Sequence, residues 1–285
     1  MQRSSVLIAV TLATLASFVN LDSSVHAEVL AHDAGRTYPM VVPPTLVQAP
    51  AGAPASIRFI TADDFPPFNF VDGSGLLSGF NIEVARAVCA KLTIPCTIQV
   101  RPFGLLLDTL NANRADAIVA GVADTPALRA RLSFTVPYFR EPARFVRRWP
   151  ALIEPSPRAL AGKTVGVLAG SRYADFLRDF FPAAVGRSAP NEADLMRLLK
   201  DGEIDAVFTG AVSAAFWLTG PAAAGCCAFS GGAYTEPAYF GDGMKIAVAA
   251  GNPALKETID GALRSLDADG TLADLALRFF PESLY

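Results

Sequence analysis

The chain has 285 residues, is 52% hydrophobic and carries a formal net charge of −3. It has no basic patch and no run of like charge, so neither nucleic acid nor an anionic membrane surface is expected as a partner. A chain of this length and apolar content can bury a large core, divided between two domains.

Residues 1–27 combine Arg3, an apolar run over 6–19 and the compact end Val25-His26-Ala27, the pattern of a cleavable signal peptide. The run falls short of the ~20 residues of a spanning helix, and no cysteine follows it to carry a lipid. Loss of Arg3 and Asp22 with the leader leaves the balance at −3, and a soluble periplasmic protein is expected. Residues 28–56 hold Pro39, Pro43, Pro44, Pro50 and Pro54 among small residues without a helical or strand period. They read as an extended linker, with packing of residues 38–42 on the body as the alternative.

Alternation of strands and helices begins at residue 57. A strand over 57–61 precedes a helix over 80–92 that puts Ile82, Ala85, Val88, Cys89 and Leu92 on one face. Strand 97–100 follows, then a helix marked by Leu106, Leu107 and Leu110, then a buried strand over 116–120. A second unit has strand 164–168, a helical face of Tyr173, Phe176, Leu177 and Phe180, a helix around Leu195, Leu198 and Leu199, and strand 205–209. Strand 244–249 and a helix carrying Leu255, Ile259, Leu263 and Leu266 complete the series. The pattern predicts an α/β fold of mostly parallel sheets with helices on both faces.

The stretch from Asp116 to Phe139 organises the candidate site. Its strand ends in a turn, and Thr125 followed by Pro126 reads as a helix cap with proline in the first helical position. A strand delivering its carboxyl end, here Ala120 and Gly121, to a helix start leaves backbone donors free for a small ligand.

The phrases ADDFPPFNF, SGFNIEVARAVCAKL, LNANRADAIVAG and the long C-terminal run from YFGDGMKIAV to LRFFP resemble the amino-acid-type (family 3) extracytoplasmic solute-binding proteins of ABC importers. That resemblance implies a two-lobed periplasmic-binding-protein fold with a two-strand hinge. The first lobe would span 57–141, the second 142–235, and 236–285 would return to the first. It also implies a small-molecule ligand, a permease in the inner membrane as partner, and a monomer. Some members carry a disulfide at the positions of Cys89 and Cys96, and four cysteines suit an oxidising compartment. The role of Cys226 and Cys227 stays open. Only His32 survives removal of the leader, so no metal site or cofactor is expected.

In the family, aromatic rings of the first lobe clasp the ligand, and Phe65 and Phe103 stand at those positions. The α-amino-acid signature is altered. Its hydroxyl residue is Ala123 and its arginine is Leu128, while Arg129 falls one residue late, turned about 100° around the helix. After Ser171 the usual threonine is Arg172, and the carboxylate expected five residues beyond Asp205 is Gly210. Asp64, Asp124 and Arg172 remain as polar elements. The pocket then suits a less polar ligand, or an anion on Arg172 and the helix start at Thr125, or an Asp124–Arg172 pair across a closed cleft. A receptor for a small organic solute other than a standard α-amino acid is the leading reading. The alternative is a periplasmic accessory protein of the quinoprotein-dehydrogenase-associated type, and a dehydratase-like enzyme is disfavoured by the absence of paired carboxylates or a nucleophile set.

Overall fold

The computed structural model describes residues 37–40, 54–281 and 283–285; the expected leader and most of the linker lie outside them. The chain lays down β1 (Thr37–Met40), β2 (Ile57–Thr61) and a small ribbon of β3 (Asp64–Phe65), β4 (Asn69–Val71) and β5 (Leu77–Ser78). Next come α1 (Phe80–Leu92), β6 (Cys96–Val100), α2 (Leu106–Asn111), β7 (Ala117–Ile118), α3 (Pro126–Arg129) and β8 (Leu132–Phe134). A second sheet is built from β9 (Ala143–Arg148), β10 (Thr164–Leu168), α4 (Arg172–Phe180), β11 (Val185–Ala189), α5 (Glu192–Lys200), β12 (Ala206–Gly210), α6 (Ala211–Thr219) and β13 (Cys227–Tyr234). The short α7 (Pro237–Phe240) leads to β14 (Ala247–Ala249), then α8 (Pro253–Ala268) and α9 (Thr271–Phe279).

The first sheet has the order β1-β6-β2-β7-β14-β8 and the second β11-β10-β12-β9-β13. Both are mixed. Strands joined by helical crossovers pair in parallel, as β2 does with β6 and β7, and β10 with β11 and β12. Strands reached by crossing between the sheets run antiparallel: β9 against β12, and β14 against β7. A right-handed helical crossover returns the chain to the same end of a sheet, whereas a strand entering from the other lobe arrives from the opposite end.

Of the two readings of residues 28–56, packing on the body holds for part of the segment. Within the segment read as a linker, Thr37–Met40 forms an edge strand paired antiparallel with β6, from Thr37 opposite Gln99 to Met40 opposite Cys96. The regular part of the strand expected over 116–120 is also shorter, because Gly121 takes a positive φ of 68° and the chain turns away towards α3.

Alternation of side chains along the strands fills four apolar layers. Above the first sheet, Ile82, Val88 and Leu92 of α1 pack with Leu255, Ile259 and Leu263 of α8. Below it, Leu106 and Leu110 of α2 cover Ile60, Ile118 and Leu132. In the second sheet Phe145 and Phe208 point towards Phe176 and Leu177 of α4, while their neighbours Val146 and Val207 point towards Leu195 and Leu199 of α5.

Cys89 at the end of α1 is bonded to Cys96 at the start of β6, and the adjacent Cys226 and Cys227 form a second disulfide. Replacing both Cys89 and Cys96 by alanine is expected to lower the unfolding free energy by about 2–3 kcal/mol, as read from urea denaturation. Unreduced peptide maps of the native protein should recover the linked pair, and free thiols at both positions would contradict it.

Candidate functional site

The two chain crossings between the sheets run side by side, with Phe139 bridged antiparallel to Met244. A line of buried polar groups fixes the first of them. The Tyr138 hydroxyl donates to Asn81 Oδ1 (2.7 Å), the Asn81 amide to Asn69 Oδ1 (2.8 Å), and the Asn69 amide to the Ala62 carbonyl (3.0 Å). These bonds hold the loop that carries Phe65 against α1 and the crossing strand. Phe65 stacks on Phe68, which in turn touches Phe139. The outer face of the Phe65 ring stays open, with 41% of the residue exposed.

Between the lobes lies a cleft of about 500 Å³, with Ala123, Asp124 and Met244 on the first-lobe side, Arg172 and Tyr173 on the other, and Glu141 on the crossing segment between them. Phe139 and Phe240 supply aromatic walls, and Gly241, Asp242 and Gly243 close one end. A somewhat larger hollow of about 590 Å³, around Pro155, Phe180 and Tyr234, is walled by the second lobe and its exit strand and does not reach these residues.

Asp124 is committed to neighbours of its own lobe. Its carboxylate accepts two bonds from Arg129 (2.5 and 3.0 Å) and one from Lys245 Nζ (2.7 Å). The Arg129 hydrogen bond first, then Lys245, hold its carboxyl down at about 2 against the opposing cost of burial. Lys245 also reaches Asp242 at 3.3 Å. The lysine was not singled out in the sequence.

Glu141 stands at the entry to β9. It has open surface, as a cleft residue does, yet enough protein surrounds it that desolvation pushes its carboxyl above the usual carboxylate range. The Val212 N–H donates to Glu141 Oε1 at 3.3 Å. A Cβ added to Gly210 would lie 2.7 Å from that same oxygen and 2.7 Å from the Tyr173 hydroxyl. Glycine at 210 therefore leaves the space that the Glu141 carboxylate and Tyr173 occupy. Burial, with Glu141 second, pushes the Tyr173 hydroxyl up to about 12. Glu192, the neighbouring carboxylate, accepts from Ser213 Oγ (2.5 Å) and Thr209 Oγ1 (3.3 Å).

The structure places the residues singled out from sequence in three groups. Ala123, Asp124 and Arg172 line the cleft, and Gly210 backs it through Glu141 and Tyr173. Phe65 lies over Gly121, where an added Cβ would be 3.1 Å from its ring and 3.8 Å from the Met244 methyl. Phe103 opens a short 3-10 turn before α2 and is 51% exposed, and Asp64 is exposed on β3. The others serve local structure. Ala120 and Leu128 pack in the lower first-lobe layer, Thr125 caps α3 by accepting from Leu128 N, and Ser171 caps α4 by accepting from Ala174 N. An Asp124–Arg172 pair is not formed; Asp124 bonds Arg129 and Lys245 instead. Glu141, Tyr173 and Phe240 were missed because they come from the crossing segments and α4, outside the strand-turn-helix motif; the crossings themselves were the available signal.

Two α/β lobes joined by paired crossings around a polar cleft define a hinge-type binding protein. The chain belongs to the bacterial extracellular solute-binding proteins, family 3, whose sequence pattern matches residues 57–282. It is 31% identical over 231 residues to the putative ABC transporter arginine-binding protein 2 of Escherichia coli (strain K12), covering 81% of this chain and 93% of that one. It is 30% identical over 225 residues to the L-arginine-binding protein of Pseudomonas aeruginosa, covering 78% and 86%. In structure it resembles the L-cystine solute receptor of Neisseria gonorrhoeae in its unliganded open conformation, with a TM-score of 0.67 and 23% identity over 80% of this chain and 94% of that one. The protein is thus a periplasmic solute-binding receptor of the ABC-importer type, a binding protein of a transporter and not an enzyme.

Two outcomes test this geometry. Phe65→Ala and Phe103→Ala should each shift the thermal midpoint by less than about 4 °C, since both residues are about half exposed. Phe68→Ala, buried at 5% exposure, should instead cost about 3–5 kcal/mol and lower the midpoint by about 6–20 °C. Asp124→Asn should remove about 2 kcal/mol of stability at neutral pH. Because its carboxyl is held at about 2 against an ordinary 3.8, this contribution is present above pH 3.8 and is lost as the pH falls through about 2. Acid titrations of the two proteins should therefore converge at low pH.

Proposed function

We propose that the cleft receives a small organic solute other than a standard α-amino acid, and that the receptor closes on it before delivery to an ABC permease. The lobes in this reading are 57–141 with 236–285, and 142–235, hinged near the Phe139–Met244 bridge. One observation carries the choice of solute: the cations on the first-lobe side are already engaged. Arg129 is bidentate on Asp124, Lys245 is shared between Asp124 and Asp242, and Leu128 is an apolar residue packed on the core. An α-carboxylate entering there would meet neither the arginine nor the hydroxyl of the amino-acid signature. Leaving an ionic group so unpaired costs several kcal/mol.

The arginine-binding relatives support an organic solute of similar size, while Ala123, Leu128 and Gly210 argue for different contacts. Isothermal calorimetry with the common L-amino acids should show no binding tighter than about 1 mM. Micromolar affinity for any of them would overturn the assignment. Mass spectra of small molecules released on denaturing freshly purified protein would identify the solute directly.

A further inference from the structure

The carboxylates around the cleft differ in what remains for them to bind. Asp124 has Arg129 and Lys245, and Glu192 has the hydroxyls of Ser213 and Thr209. Glu141 has one backbone donor, Val212 N–H, at a long 3.3 Å. An ionised carboxylate offers about four acceptor directions, so most of this group's capacity is open to the cleft. Among the described residues no cation lies within ion-pair distance of it. Arg172 shares the cleft and acts on the Glu141 carboxyl electrostatically, lowering it, but forms no ion pair with it; its Nη1 lies 3.8 Å from where a Cβ on Gly241 would be.

The surroundings of Glu141 favour a positively charged guest. Tyr173 and Phe240 stack at 5.6 Å, and Phe139 lies in the same wall. Aromatic faces beside a cleft carboxylate attract cations through both the ring quadrupole and a charge-assisted hydrogen bond. The Tyr173 hydroxyl, beside the same Gly210 gap, adds a neutral acceptor. A protonated nitrogen arriving here would fill open acceptor positions of Glu141.

From this placement we infer that Glu141 is the anionic anchor of the site and that the solute is an organic cation, a protonated amine or guanidine seated between Glu141 and the aromatic wall. This rests on the receptor reading above and names the class of solute it takes. It also assigns the anchor to the crossing segment between the lobes, where Glu141 sits one residue before Pro142 and two before β9. Binding there bears on the hinge itself. A guest held by Glu141 touches the segment that must move on closure.

Calorimetry on the purified protein with butylamine, 1,4-diaminobutane and guanidinobutane, beside succinate and mannitol, tests the assignment. At least one amine or guanidine should bind, and Glu141→Gln should weaken it about 10- to 100-fold. The side-chain amide carbonyl of that variant can still accept from the Val212 N–H, so its unliganded melting point should not fall below the parent's. Should it fall, Glu141→Asp decides: the charge-retaining variant should keep more amine affinity than the amide. Binding confined to succinate or mannitol, no binding of any amine or guanidine, or amine affinity unchanged in Glu141→Gln would each overturn the inference. Micromolar binding of a standard L-amino acid that depends on Glu141 would instead uphold the anchor and sink the proposed class of solute.

Discussion

The line of hydrogen bonds from Tyr138 through Asn81 and Asn69 to the Ala62 carbonyl sets the geometry on which the cleft depends. Asn69 and Asn81 are fully buried, so each of their polar atoms must find a partner or cost the full penalty of its desolvation. That requirement ties three separate elements together: the Phe65 loop, the start of α1 and the crossing strand. Burial accordingly pushes the Tyr138 hydroxyl far above its ordinary range and keeps it a donor. On the other side of the crossing, Asp260 of α8 is buried at 2% exposure, accepts from Val136 N at 2.7 Å and is paired with Lys256. The chain thus leaves the first lobe from a position fixed by α1 on one flank and α8 on the other.

Much of this architecture could be read before any coordinates. The helix over Phe80–Leu92 and the strands at Ile57–Thr61 and Thr164–Leu168 coincide with the periodicity that announces them, because each has one buried face and a clear stop. Thr125 and Ser171 cap their helices through their own hydroxyls, which local sequence alone specifies. Among the elements that periodicity did not reveal are β9, β11 and β13, beside β8, α6 and α9. Of these, β11 is an edge strand exposed over Val185–Ser188, without the apolar alternation that marks a buried one. Strand β9 is defined by pairing with β12 on one side and β13 on the other, across long separations, and no local pattern encodes which strand it will meet. The edge strand Thr37–Met40 lies inside a proline-rich segment read mainly as a linker, with packing of residues 38–42 on the body as the alternative, and composition does not say which strand it pairs with.

The candidate site was legible by position but not by space. Reading along the chain finds a glycine at 210 where the family has a carboxylate, and the natural conclusion is that the charge is lost. In three dimensions the glycine leaves the space into which Glu141, 69 positions earlier, extends its own carboxylate. A substitution and its replacement can lie on different elements as long as both face one volume. Arg129 shows the converse. Its displacement by one residue turns it towards Asp124, where it becomes half of a bidentate pair instead of an open cation.

The distribution of charge between the two walls fits the closure proposed above. On the first-lobe side Asp124 and Lys245 are only 11% and 10% exposed, already desolvated and already paired. Burying such a pair further costs little, whereas each uncompensated ion swept into a closing cleft costs several kcal/mol. The first lobe therefore presents mainly apolar and aromatic surface, with Phe65, Ala123 and Met244 at its face. The open charges, Glu141 and Arg172, belong to the crossing and to the start of α4. In the reading proposed above, a cationic guest paired with Glu141 would offset that carboxylate's share of the cost, so closure would favour the loaded cleft over the empty one. On that proposal, selection of the solute and closure would fall to the same few groups.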